Sequence, residues 1–139
     1  MSIETPVQIA LEPRVELAMP IDAALEITTA ALKSEGFGVL TKIDVQATLQ
    51  EKLGESIAPY LILGACNPGI AHRALTANSD IGLFLPGNVT LSEADGTTTV
   101  SIVDPIAMLA AGGGDEAVAG VAREASERLA RVLEVLVSR

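Results

Sequence analysis

Tryptophan is absent from this chain, and tyrosine and phenylalanine together supply only three side chains, Phe37, Tyr60 and Phe84. Stacking platforms for nucleobases and aromatic floors for sugars therefore have little material. A single cysteine, Cys66, excludes an internal disulfide, a dithiol redox cycle and a two-thiolate metal site within one chain. Basic residues are few as well: nine Lys and Arg stand against eighteen Asp and Glu, a formal net charge of −9. That balance speaks against nucleic-acid backbones and anionic membrane surfaces as partners, since both are held by clustered cations. Arg123, Arg128 and Arg131 do not form such a cluster, because Glu124, Glu127 and Glu134 alternate with them at helical spacings.

Long apolar runs are also missing. The best stretches, Ile57 to Cys66 and Ile106 to Ala111, are broken by Pro59 or ended by glycines. Both fall short of the ~20 residues of a membrane helix. The start, Met1-Ser2-Ile3-Glu4-Thr5-Pro6, lacks the basic opening and apolar stretch of a signal peptide, so a cytoplasmic location is expected. No paired carboxylates show the spacing of a general acid and base. Gly36-Phe37-Gly38 and Gly112-Gly113-Gly114 lack the strand and lysine context of a phosphate loop.

What is present is enough for one aliphatic core. A chain of 139 residues is expected to form one domain over 1–139 and to bury roughly two thirds of its unfolded surface. Arg14 to Met19 alternates polar and apolar residues as a half-buried strand does, and Pro20 ends it. Asp22 is expected to cap a helix carrying Ala24, Leu25, Thr28, Ala31 and Leu32, closed at Gly36. Phe37 to Ile43 reads as a second strand, and Asp44 as the cap of a short helix over Val45, Leu49 and Leu53 that Gly54 stops. Ile57 to Cys66, the most apolar strand, is expected at the centre of the sheet.

A third helix is predicted from Pro68 to about Ala77, then strands over Ile81 to Ser92 and Thr97 to Val103, joined through Asp95-Gly96 as a hairpin. Asp104-Pro105 opens a short helix to Ala111, and the three glycines after it read as an elbow within the domain. From Asp115 or Glu116 a long terminal helix carries the stripe Val118, Val121, Ala122, Ala125, Leu129, Val132, Leu133 and Leu136.

The chemistry-bearing corner is Gly64-Ala65-Cys66-Asn67-Pro68-Gly69-Ile70-Ala71-His72-Arg73. A strand end delivers the thiol to a helix start, where Asn67 supplies a capping oxygen and Pro68 needs no N–H. A helix N-terminus favours anions and lowers a nearby thiol pKa by less than about one unit. Strong activation of Cys66 therefore needs a cation, and His72 or Arg73 is nearest in sequence. The bland alternatives are a buried thiol that only packs, an Asn67 that only caps and a solvated His72. A metal held by Cys66 and His72 would lack its third and fourth ligands.

Three segments carry a resemblance. Glu35 to Val45, Tyr60 to Pro68 and Ile81 to Val89 are similar to the family catalogued as domain of unknown function 302, over about Arg14 to Arg139, leaving 1–13 as an N-terminal extension. The resemblance implies an α+β domain with an antiparallel sheet of about five strands flanked by helices, a homodimer, and the Gly-Ala-Cys-Asn-Pro turn as the characteristic site. It implies no activity. Three positions depart from the family pattern: Gly87 stands where cysteine is usual, Lys42 where an acidic residue is usual, and Gly69 where a second proline is common. With its two strand ends adjacent, Gly87 is expected to open space beside Cys66 for a ligand.

The residues name no established function; the expected one is binding or sensing, at the Cys66-Asn67-Pro68 helix start, of a small anionic or thiol-reactive ligand, a thiol metabolite or a soft metal, by Cys66, Asn67, Gly69, His72, Gly87 and Asn88. No cofactor is named by these residues. Two other classes stay open: a structural or partner-binding homodimer with no chemistry at Cys66, and an enzyme using Cys66 as nucleophile and His72 as base.

Overall fold

A two-residue alternation of buried and half-buried side chains places the three inner strands of the sheet, whereas the edge strand over 38–44 is exposed along nearly all its length. The computed structural model describes residues 13–110 and 116–138. The elements are β1 (Arg14–Leu17), α1 (Ile21–Ser34), β2 (Gly38–Asp44), α2 (Val45–Leu53), β3 (Tyr60–Cys66), α3 (Pro68–Ala77), a 3-10 segment (Ser79–Phe84), β4 (Gly87–Ala94), β5 (Thr97–Ile102), α4 (Pro105–Ala110) and α5 (Glu116–Val137). The sheet order is β1-β5-β4-β3-β2, and every neighbouring pair is antiparallel.

The register stacks apolar side chains across strands. Leu63 pairs with Val89 and Val89 with Ile102, while Leu61 pairs with Leu91 and Leu91 with Val100. All six are buried. Their alternates Tyr60, Ile62, Thr90, Ser92, Thr99 and Ser101 are half-buried, as expected for a sheet with one face in the core. Over the buried face lie α1, α3 and α5, with α5 packed against both other helices. Its stripe is buried at Val118, Val121, Ala122, Ala125, Leu129, Val132 and Leu136, with Leu133 half-buried beside it.

Local signals placed most boundaries. Asp44 caps α2 through a bond from the Ala47 N–H (2.9 Å), and Gly54 ends that helix at φ +69°. The hairpin turn holds Asp95 at φ 53° and Gly96 at φ 78°, a conformation that favours Asp and Gly. Gly36, at φ +85°, closes α1, and a methyl there would also meet Asn67 Nδ2 at 2.7 Å.

Other expectations are corrected. The middle strand is β4, and β3 lies one place toward the β2 edge; its apolar run still has neighbours on both sides. The expected strand over Ile81 to Ser92 begins only at Gly87. Its first half is the 3-10 segment, started by an Asn78 side chain that accepts from the Asp80 N–H (3.0 Å), and Pro86, without an N–H, separates the two. Asp22 is not the cap of α1. The helix begins one residue earlier, and its Ile21 N–H donates across the fold to the Glu93 carboxylate of β4 (2.8 Å). Ala111, the three-glycine elbow, Asp115 and the extension over 1–12 lie outside the described residues.

Candidate functional site

The end of β3 sends consecutive side chains to opposite sides of the sheet. Ala65 is buried under the helices, and Cys66, half-buried, follows the opposite alternation. Burial raises the Cys66 thiol above its ordinary value, and burial is the only cause. Among the described residues the thiol has no hydrogen-bond partner. It is thus the reverse of an activated nucleophile, which needs a lowered pKa.

Asn67 is fully engaged. Its Oδ1 accepts from the Ile70 N–H (3.2 Å), capping α3, while its Nδ2 donates to the Glu35 carbonyl (3.3 Å). The same carbonyl accepts from Arg128 (3.4 Å), and the Glu35 carboxylate pairs with Arg131 (3.0 Å). The start of α3, the end of α1 and the middle of α5 therefore meet at one polar junction, and Asn67 is part of that joint.

His72 does not complete a site with Cys66. Helix α3 buries Ile70 and Ala74, and His72, midway between them, is exposed on the other side of the helix. Arg73 is held by Glu124 of α5 (2.7 Å), and this hydrogen bond, ahead of the weaker pull of Arg128, lowers the Glu124 carboxyl pKa. Among the described residues no group of three or more His, Cys, Asp or Glu side chains could hold a metal.

A cleft stands where the motif residues lead. An inner, apolar cavity of about 70 Å³ is walled by Phe37, Ala65, Ile70, Ala74, Val121 and Ala125 among others, with Asn67, Gly87 and Asn88 also on its lining. An outer depression of about 350 Å³ adjoins it, and Leu85, Asn88, Val103 and Met108 line both. No ionisable side chain and no thiol lines either space among the described residues. Of the six candidates from the sequence, Asn67, Gly87 and Asn88 meet at this cleft, whereas Cys66, Gly69 and His72 do not line it. Sequence reasoning missed Ala71, Ala74, Ala122, Ala125 and Met108. The available signal was the alanines, whose small side chains leave room where α3 faces α5.

The family model described as a domain of unknown function, DUF302, matches residues 14–136. The chain belongs to the DUF302 family. A crystal structure of an uncharacterized conserved DUF302 protein from Bacillus stearothermophilus has the same fold, with a TM-score of 0.80 and 34% identity over 88% of this chain and 95% of that one. No curated protein matches. Neither relationship brings an activity.

Membership gives the Gly87 departure a structural reading. Gly87 pairs with Ala65 and lines the apolar cleft, so a side chain there projects away from the face that carries Cys66. The expected space beside Cys66 is therefore not made by Gly87. A methyl at Gly87 would touch the Ala65 carbonyl and Val103 only at 3.7 Å, so the absent side chain enlarges the cleft rather than relieving a clash. Gly69, Lys42 and Asn88 are exposed, and the Asn88 carbonyl accepts from the Val103 N–H (3.1 Å) at the cleft mouth.

Proposed function

We propose that this DUF302 domain is a binding module for a small, uncharged, largely apolar molecule, taken end-on into the cleft between β3, β4, α3 and α5. The observation that carries the reading is the lining itself: a narrow apolar space beside a wider depression that shares four of its lining residues, with amide groups as the only polar side chains on either among the described residues. Ligand pockets share this pattern of apolar walls with few polar groups. A slim aliphatic end suits the inner space of about 70 Å³, roughly half the cavity that takes a benzene ring, and the remainder rests against Leu83, Phe84 and Pro86. The anionic or thiol-reactive ligand drawn from the sequence fits less well, because Asn67 is already bonded at both ends and the Cys66 thiol is held protonated. The same two facts weigh against a Cys66-dependent enzyme. That no described helix is long and apolar enough to cross a membrane agrees with a domain that meets its ligand from water.

The test is an amide-resolved NMR titration of the protein with 1-butanol and with 1-hexanol. Saturable shifts confined to Ala74, Gly87, Val121 and their neighbours support the reading, and Gly87→Val, shown to be folded by circular dichroism, should weaken them. Shifts elsewhere, or none with either probe, overturn it.

A further inference from the structure

We infer that a second pocket, between the start of β1, the end of β5 and α5, binds a small ammonium compound with an apolar body, its charge held by Asp104. The inference does not rest on the cleft. Its first support is the space itself, a pocket of about 170 Å³ walled among the described residues by Pro13, Ile102, Pro105, Leu129 and Leu133. That is more than twice the inner cavity of the cleft, and about the size that takes a benzene ring. Asp104 and Ser126 supply the only polar side chains on its lining among these residues. Water there finds few partners, so an apolar body displaces it at a gain.

The second support is how Asp104 is held. Its Oδ1 accepts both from the Ile106 N–H (3.0 Å), at the start of α4, and from the Ser126 hydroxyl of α5 (3.3 Å). Two bonds from different elements fix the carboxylate, yet both fall on one oxygen. Capping α4 therefore leaves Oδ2 without a partner among the described residues. A carboxylate offers about four acceptor positions, and one held in place with an oxygen still open is preorganised for a charged donor.

The third is charge, which selects the ammonium group. Among the described residues no Lys, Arg or His lines the pocket, and none forms an ion pair with Asp104. The chain carries −9 overall, a balance that draws cations and repels anions. A half-buried carboxylate with no cation of its own, on the wall of an apolar space, favours an ammonium over a hydroxyl and rejects another carboxylate.

The test is an amide-resolved NMR titration of the full chain with benzylammonium chloride and with benzyl alcohol, which has the same shape without the charge. Benzylammonium should give saturable shifts at Ser126, Ala130 and Leu133, which line this pocket and not the cleft. It should also bind at least about fivefold more tightly than the alcohol, as a charged donor does at a carboxylate. Asp104→Asn, which keeps a capping oxygen, should remove that preference and leave alcohol binding unchanged. Ala130→Leu, at an exposed position of α5, should fill the pocket and weaken both probes. Each variant is checked for folding by circular dichroism. No saturable shift at these three residues, the result if residues 1–12 fill the pocket, overturns the inference. So does equal binding of the two probes by the wild type, a preference that survives Asp104→Asn, or binding that neither variant weakens.

Discussion

Thr28 and Thr98 offer the same substitution in two places with opposite consequences. Both are fully buried. Thr98 Oγ1 donates to the Met19 carbonyl (2.9 Å), whereas Thr28 Oγ1, on the buried side of α1, has no hydrogen-bond partner among the described residues. A buried hydroxyl without a partner costs about 1–3 kcal/mol. Valine keeps the branched shape, has nearly the same helix propensity and replaces the hydroxyl by a methyl. Thr28→Val should therefore stabilise the fold by about 1–2 kcal/mol, a rise of roughly 3–8 °C in Tm at this size. Thr98→Val should destabilise it by about 1–2 kcal/mol, because the Met19 carbonyl loses its donor. Urea unfolding with a common slope measures both, and the two variants should differ by about 2–4 kcal/mol. A Thr28→Val protein less stable than wild type by more than about 1 kcal/mol would show that the hydroxyl is satisfied, and would refute the reasoning.

Three further outcomes are expected. Burial of the Cys66 thiol raises its pKa, so folding favours the protonated form; that contribution is complete below the ordinary thiol range and is lost as pH rises through the raised value. The urea midpoint should accordingly fall more steeply above about pH 8.5 in wild type than in Cys66→Ala, and native alkylation should be slower than in urea, unchanged by His72→Ala; an equal slope or a faster native rate would contradict this. Glu93→Gln should cost about 0.5–1.5 kcal/mol by removing the charge that caps α1 from β4, visible as a lower midpoint and faster amide exchange at Ile21. Gly64→Ala should cost about 1–3 kcal/mol, since its methyl meets Thr41 Oγ1 and, at 2.7 Å, the Pro86 ring; a neutral thermal melt would mean that both shift freely.

The chain's local order was legible wherever the deciding interaction spans a few residues. Asp44 and Asn67 announce their helices because a cap bonds an amide three positions on, and Asp95-Gly96 announces its hairpin because few residues adopt positive φ. The stripe of α5 was readable because burial repeats with the helical turn. The family, too, could be recognised from motifs, as their order survives in sequence. What could not be read were contacts between residues far apart: Glu93 capping α1, Arg128 and Asn67 meeting at the Glu35 carbonyl, and β4 rather than β3 at the centre of the sheet. The candidate site divided along the same line. Cys66, Gly69 and His72 stand out as residue types or motif positions, yet strand alternation and helix rotation turn Cys66 and His72 away from the cleft, and Gly69 remains exposed at the start of α3. The cleft itself is made by alanines and a glycine whose meaning is the space they leave, and empty space exists only once the elements around it have packed.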